Sequence, residues 1–178
     1  MLRPLVKALI GMNNDVSVIA RSRSGFVRLR RELTPIEQHR MHSYLADYNS
    51  VEELSRAIKL AIAKRGEISS VIAWIHSDVT QADQIIYDLT FHSQPNFRYF
   101  KIIGSSSYDP SLDRVEQNMI SEAPFANSIR GVVLGFMLEE GNSRWLTKEE
   151  ISQGILQAIE QDIAEFTVGV TRPWRLKP

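Results

Sequence analysis

Short apolar runs rich in β-branched residues alternate along this chain with segments whose apolar residues recur every three or four positions. The first pattern is typical of strands and the second of amphipathic helices. Strands that are separated by helices pair in parallel, because the intervening helix provides the long right-handed crossover that a parallel connection needs. The sequence therefore predicts an α/β fold with a doubly wound, mostly parallel sheet.

The patterns define six strands and five helices. Strands are predicted over residues 15–20, 41–48, 69–75, 98–103, 129–138 and 166–170, and helices over 2–10, 26–33, 50–66, about 78–91, and from 147 onward. The run 69–75 is almost wholly apolar, which predicts a strand buried on both faces. Ser50 with Glu53, and Thr147 with Glu150, have the spacing of a capping box. Residues 109–126 are polar and are predicted to form an irregular connection.

Composition excludes several classes of protein. The 178 residues suit one domain, and the formal net charge of zero argues against a nucleic-acid partner or binding to an anionic membrane. No apolar run approaches the roughly 20 residues that span a bilayer, and the first residues do not resemble a signal peptide. With no cysteine and no histidine spacing typical of a metal site, we expect no disulfide and no bound metal. These features predict a cytoplasmic protein.

Five segments resemble, in order and spacing, strands two to six of the short-chain dehydrogenases. They are Val16–Ser22, Tyr44–Tyr48, Ile72–Ser77, Ile102–Ser107 and Ile129–Phe136. Three motifs are similar to a small, atypical bacterial subgroup of that family, namely Ala73–Ser77, Gly104–Ser107 and Ser143–Thr147. The resemblance covers nearly the whole chain and implies a single Rossmann-like domain over residues 1–178. Unpaired strand edges and the apolar run 129–138 suggest in addition a homo-oligomer.

The beginning of the chain departs from that subgroup, in which a first strand and a glycine-rich loop precede the first helix. Met1 and Leu2 resemble the end of this loop. The resemblance implies a chain that starts at an internal methionine and lacks the first strand and the loop. The alternative is a protein that diverged and never had them. A helix N-terminus without the shaped loop should bind a dinucleotide poorly, because the glycines let the backbone approach the pyrophosphate.

Arg21, Ser22, Arg23 and Ser24 follow the first predicted strand, where the resemblance places recognition of the adenosine ribose. An acidic residue there would accept a hydrogen bond from the ribose 2′-hydroxyl, whereas arginine and serine suit a 2′-phosphate. This implies NADP as the cofactor. The alternative is a solvated basic turn that leads into further arginines.

The resemblance assigns further cofactor contacts to the ends of the next two strands. Asp47, with Tyr48 beside it, matches an acidic position that contacts the adenine amino group; the alternative is a turn acceptor ahead of the Ser50 cap. The segment that ends in Ile75, His76 and Ser77 replaces the family's Asn-Asn-Ala-Gly stretch. His76 is either a titratable group near substrate or a structural histidine.

Ser105 aligns with the serine that orients substrate in the family, with Ser106 as the second choice. Either could instead belong to a turn rich in side-chain hydrogen bonds. The family's general acid/base, a tyrosine with lysine four residues later, is absent, since Tyr108 is followed at that spacing by Leu112. Tyr108 is the candidate substitute near Ser105.

The motif Ser143–Thr147 lies where the family closes a lid over the substrate. Arg144 is a candidate ligand for a phosphate or a carboxylate, and Trp145 is a candidate for core packing. The alternative for the whole motif is a structural role, of which core packing by Trp145 is one form.

Three functions remain open on these observations. The first is a short-chain dehydrogenase-like, NADP-binding oxidoreductase that acts on a small molecule whose identity the sequence does not reveal. The second is a catalytically inactive Rossmann module that senses a nucleotide or has a structural role, because the tyrosine–lysine pair and the glycine loop are absent. The third is an inert fragment, or one that folds only as an oligomer.

Overall fold

The structure is a computed structural model that describes residues 2–75, 80–91, 96–104, 128–139 and 142–178. The predicted connection 109–126 and the first two residues of the helix predicted over about 78–91 lie outside these residues. The chain divides into two compact units. Unit 1 comprises Met1–Ile68 and Asp78–Gln94, and unit 2 comprises Ser69–Ser77 and Pro95–Pro178.

Unit 1 combines a two-stranded parallel sheet with helices. Its elements are α1 (Arg3–Gly11), β1 (Val16–Ala20), α2 (Arg23–Arg31), α3 (Pro35–Arg40), β2 (Met41–Leu45), α4 (Val51–Arg65) and α5 (Thr80–Thr90). β1 runs parallel to β2, with Val16 opposite Met41 and Ala20 opposite Leu45. A buried apolar cluster joins α1, α2, the turn after α2, and β2 through Val6, Ile10, Leu29, Leu33 and Met41.

Unit 2 contains a four-stranded parallel sheet and a hairpin. Its elements are β3 (Ser70–Ala73), β4 (Arg98–Ile103), β5 (Ile129–Leu134), β6 (Phe136–Glu139), β7 (Asn142–Trp145), α6 (Lys148–Gln161), β8 (Glu165–Val168) and a 3₁₀ turn (Trp174–Leu176). The parallel sheet has the order β3-β4-β5-β8, and β6 pairs with β7 in antiparallel fashion. Tyr99, Phe100, Val132, Val133 and Ile155 are among its most buried side chains.

The predicted α/β class with a parallel sheet is confirmed. Helix α6 begins with the predicted capping box, in which Thr147 Oγ1 accepts from the Glu150 amide at 3.1 Å and the Glu150 carboxylate accepts from the Thr147 amide at 2.8 Å. At α4 only half of the predicted box forms. Ser50 Oγ accepts from the Glu53 amide, but the Glu53 carboxylate accepts from the Asp47 amide instead.

The prediction of one strand over 129–138 was wrong, because the chain leaves the parallel sheet at Gly135. Phe136 and Val170 exchange two backbone hydrogen bonds of 2.9 Å, and a Cβ atom at Gly135 would overlap the Val170 carbonyl oxygen. This close backbone approach separates β5 from β6 and turns β6 into a hairpin with β7.

Other features of the elements also differ from the predictions. α2 begins at Arg23 rather than at residue 26, because Ser22 caps it. β3 is not buried on both faces, since it lies at the edge of its sheet and only Ala73 is buried. α3, which opens with a capping box of Thr34 and Glu37, and β7 were not predicted.

Among the described residues, the helices are all too short or too polar to cross a bilayer.

Candidate functional site

The carboxyl ends of β1 and β2 lie side by side, because the two strands are parallel and in register. The Ala46 amide donates to the Ala20 carbonyl at 3.2 Å, which continues the pairing one residue beyond β2. Arg21 leaves β1 at this edge, and Asp47 and Tyr48 leave β2 beside it. Parallel sheets bind ligands at this end of the strands.

Arg21 rests on Tyr48. Its guanidinium carbon lies 4.9 Å from the centre of the Tyr48 ring, and its Nη2 donates to the Tyr48 hydroxyl at 3.5 Å. Nη1 lies 3.8 Å from Asp47 Oδ2, beyond hydrogen-bond distance. The Arg21 side chain is 53% exposed. The guanidinium is thus positioned by weak contacts and remains open to an anion.

The N-terminus of α2 adds further donors next to Arg21. Ser22 Oγ accepts from the Gly25 amide at 3.1 Å and lies 2.9 Å from Ser24 Oγ. Arg23 is the first helical residue, is exposed, and forms no ion pair within the described ranges. The first turn has no acidic residue, so nothing in it offsets an arginine at the positive end of the helix dipole. This arrangement favours a bound anion.

Asp47 has the turn role that its alternative interpretation predicted. Its Oδ1 accepts from the Asn49 amide at 2.9 Å, and its carbonyl accepts from the Ser50 amide at 3.0 Å. Its Oδ2 is the oxygen that faces Arg21. One carboxylate therefore shapes the turn ahead of α4 and stands near the cation that follows β1.

The other site residues from the sequence are placed separately or not at all. Ile75 follows β3 in unit 2 and is partly buried. His76, Ser77, Ser105, Ser106 and Tyr108 lie outside the described residues. The two described tyrosines nearest to them in sequence, Tyr87 and Tyr99, are at most 1% exposed and are therefore closed to a substrate.

Arg144, the other candidate anion ligand, is enclosed by two carboxylates. It donates to Glu139 at 2.5 and 3.2 Å and to Glu150 at 2.8 and 2.9 Å. The Arg144 hydrogen bonds, followed by that from the Thr147 amide, lower the pKa of Glu150 to about 2, and Arg144 also lowers the pKa of Glu139. The structure thus gives Arg144 a structural role at the start of α6.

Sequence reasoning missed a second arginine cluster, at the amino ends of β4 and β5. Arg98 donates to both Asp162 carboxylate oxygens at 2.7 and 2.8 Å, and Arg130 donates to one of them at 2.7 Å. Partial burial is the largest influence and opposes ionisation, yet the bonds from Arg130 and Arg98 together lower the pKa of Asp162. The sequence signal was an arginine near the start of two neighbouring strands. The cluster of Arg98, Arg130 and Asp162 joins the parallel sheet to the end of α6.

Within the described ranges, no three His, Asp or Glu side chains are grouped in a way that could hold a metal ion.

Comparison with known proteins relates the chain by its fold. No family model and no curated protein matches the sequence. Among solved structures, a Brucella melitensis short-chain dehydrogenase/reductase of the glucose/ribitol dehydrogenase type gives a TM-score of 0.64 at 13% identity, covering 96% of this chain and 90% of its own. A mutant short-chain dehydrogenase/reductase from Serratia marcescens gives 0.64 at 12% identity, covering 94% and 91%.

A third structure is the alcohol dehydrogenase from the archaeon Thermococcus sibiricus, complexed with 5-hydroxy-NADP. Its TM-score is 0.59 at 12% identity, and the match covers 93% of this chain and 89% of that protein. At these identities the likeness concerns the fold. Together with the parallel sheet, it shows that the chain has the Rossmann-like fold of the short-chain dehydrogenase/reductases.

Proposed function

We propose that this chain is an NADP-binding protein of the short-chain dehydrogenase type that holds the adenosine 2′-phosphate beside Arg21. The observation that carries the proposal is the open cation on Tyr48, next to Arg23 and the two serine hydroxyls at the start of α2. These groups lie together at the carboxyl ends of β1 and β2.

The chemistry of the site fits a phosphate monoester. A guanidinium offers a planar fork of donors that matches two phosphate oxygens. The Ser22–Ser24 pair adds one further O–H donor, because the other O–H lies in the hydrogen bond between the two hydroxyls. A phosphate would also offset the positive charge that Arg23 adds to the N-terminus of α2. The neutral 2′-hydroxyl of NAD would form no ion pair with these positive charges, so the site favours NADP over NAD.

The fold supports the same choice of ligand. Parallel sheets of this kind bind nucleotides beyond the carboxyl ends of their strands, and one structural neighbour is complexed with 5-hydroxy-NADP. The fit concerns the adenosine end of the dinucleotide, because Arg21 and Arg23 follow β1 and Asp47 follows β2. Asp47 is proposed to face the adenine amino group.

An oxidoreductase activity on a small molecule, in a cytoplasmic homo-oligomer, completes the first proposal. NADP, when bound, supplies hydride transfer at its nicotinamide ring. Ser105 and Tyr108 are the residues proposed to contact the substrate, and Ile75, His76 and Ser77 are proposed to lie beside the cofactor.

A second candidate function is a nucleotide-binding module without catalysis. It is favoured by the tyrosines themselves: none of the five in the chain has lysine four residues later, and Tyr87 and Tyr99 are buried. Turnover separates the two functions. Oxidation of NADPH in the presence of simple aldehydes and ketones would support the enzyme, and NADPH binding without oxidation would support the module.

Binding of nucleotide fragments tests the 2′-phosphate site directly. We expect calorimetry to show tighter binding of 2′,5′-ADP than of 5′-AMP, because the two differ only in the 2′-phosphate. The double change Arg21→Ala with Arg23→Ala should reduce this preference about ten- to hundredfold, since hydrogen bonds to charged groups contribute about 1.5–3 kcal/mol.

The matched control also removes two positive charges, both from the helix that contains Arg23. Arg28 and Arg31 are exposed and lie farther along α2. Arg28→Ala with Arg31→Ala should keep the preference almost unchanged. Equal affinities for the two fragments in the unmodified chain would overturn the proposal.

A further inference from the structure

We infer that Tyr48 is a specificity-determining residue, whose aromatic face holds the Arg21 guanidinium in position for the 2′-phosphate. The inference rests on the proposed function and deepens it, because it names what orients the cation. In this role Tyr48 is a positioning residue that acts through Arg21.

Arg21 needs such a support, because its other contacts are weak. The ion pair with Asp47 spans 3.8 Å and supplies attraction without fixing an orientation. The hydrogen bond to the Tyr48 hydroxyl is 3.5 Å long. The ring lies 4.9 Å from the guanidinium carbon, well within the range of a cation–π contact.

The ring can provide this support because the backbone fixes where it starts. Tyr48 lies within the turn that is closed by the hydrogen bond from the Asn49 amide to the Asp47 carboxylate, and it precedes the Ser50 cap of α4. Its side chain is only partly exposed. An arginine placed against a ring loses fewer orientations when it binds a phosphate, which is the usual benefit of pre-organisation.

The support also leaves donors available. A guanidinium placed over a ring keeps N–H groups available, whereas one enclosed by carboxylates, like Arg144, has them occupied. The contact with Tyr48 therefore combines a fixed orientation with an open edge, which is what selective recognition of a phosphate requires.

The test compares two substitutions by the ratio of the dissociation constants of 5′-AMP and 2′,5′-ADP. Tyr48→Leu removes the ring and should lower the ratio about two- to fivefold, the range expected for an exposed cation–π contact. Tyr48→Phe keeps the ring and should retain the ratio. An unchanged ratio in Tyr48→Leu, or an equal fall in both variants, would overturn the inference.

A second comparison shows whether Tyr48 acts through Arg21. In an Arg21→Ala background, Tyr48→Leu should have no further effect on the ratio; a further fall would mean that Tyr48 contacts the phosphate itself and would overturn the positioning role. Thermal unfolding checks that the variants fold. If Tyr48→Leu does not fold, Tyr48→Trp replaces it and should raise the ratio.

The two proposals fail in different ways. A ratio of one in the unmodified chain would refute the NADP proposal and remove the basis of this inference. A clear preference for 2′,5′-ADP that Tyr48→Leu leaves intact would refute the role of Tyr48 alone.

Discussion

The sequence predicts both Arg21 and Arg144 as candidate ligands for an anion, yet the surroundings of the two arginines differ. Arg144 is enclosed by Glu139 and Glu150, with four hydrogen bonds between 2.5 and 3.2 Å. Arg21 rests on an aromatic ring and has its nearest carboxylate oxygen 3.8 Å away. The first arginine stabilises the start of a helix, and the second is available to a ligand.

The comparison shows that the carboxylates nearby decide what an arginine can do. Exposure alone does not separate the two side chains, which are 53% exposed for Arg21 and 40% exposed for Arg144. What separates them is how many of their donors are already hydrogen-bonded to carboxylates. Substitution of Arg21 is therefore expected to affect mainly ligand binding, and substitution of Arg144 mainly stability.

Removing each arginine alone should give the largest contrast. Arg21→Ala should reduce the preference for 2′,5′-ADP over 5′-AMP about tenfold or more, because it removes the fork of donors. Arg144→Ala should leave that preference unchanged and lower the thermal unfolding midpoint. Calorimetry and thermal unfolding of the two variants measure both effects, and a loss of the preference in Arg144→Ala would break the distinction.

The capping box that orients Glu150 should have the next largest effect. Thr147→Ala is expected to destabilise the protein by about 1 kcal/mol, which lowers the unfolding midpoint by about 2–4 °C. Ser50→Ala at α4, where only half of the box forms, is the matched control and should cost less. Thermal unfolding decides, and a greater loss in Ser50→Ala would contradict the expected order.

Removing the carboxylate near Arg21 should have a smaller effect on binding. Asp47→Asn keeps the side-chain oxygen that accepts from the Asn49 amide but eliminates a charge that repels a phosphate. The preference for 2′,5′-ADP should rise about two- to fivefold, as expected for an exposed ion pair. Titration calorimetry measures it, and a fall would mean that Asp47 assists phosphate binding.

The smallest effect concerns pH. The hydrogen bonds from Arg144, followed by that from the Thr147 amide, lower the pKa of Glu150 from 4.5 to about 2. The interactions of the ionised carboxylate therefore stabilise the folded chain fully above pH 4.5, and this contribution is lost as pH falls towards 2. The difference in unfolding midpoint between the unmodified chain and Arg144→Met should therefore shrink over this window. Differential scanning fluorimetry between pH 2 and 7 follows it, and a constant difference would contradict the assignment.

Much of the fold could be predicted, because its signals are local. The apolar period of α1 and the capping box of α6 depend on neighbouring residues, and both matched the structure. The end of β5 depends on Gly135 meeting Val170, which is 35 positions away, so the apolar run alone could not reveal it. The start of α2 was not predicted, because Ser22 was assigned to a ligand loop or a solvated basic turn and not to a helix cap.

The candidate site was predictable in its residues but not in its contacts. Arg21 and Tyr48 follow two strands, and pairing of those strands was enough to bring them together. The cation–π contact between them depends on side-chain orientation, which a one-dimensional pattern does not contain. The enclosure of Arg144 depends on the hairpin of β6 and β7, and β7 was not predicted.

Arginine-resolved NMR during a titration with 2′,5′-ADP tests the contrast most directly. The Nε–H resonances are assigned by comparison with Arg21→Lys and Arg144→Lys. We expect the Arg21 signal to shift and saturate as the ligand binds, while the Arg144 signal, whose Nε donates to Glu139, stays in place. A saturating shift at Arg144 with none at Arg21 would contradict the proposed site.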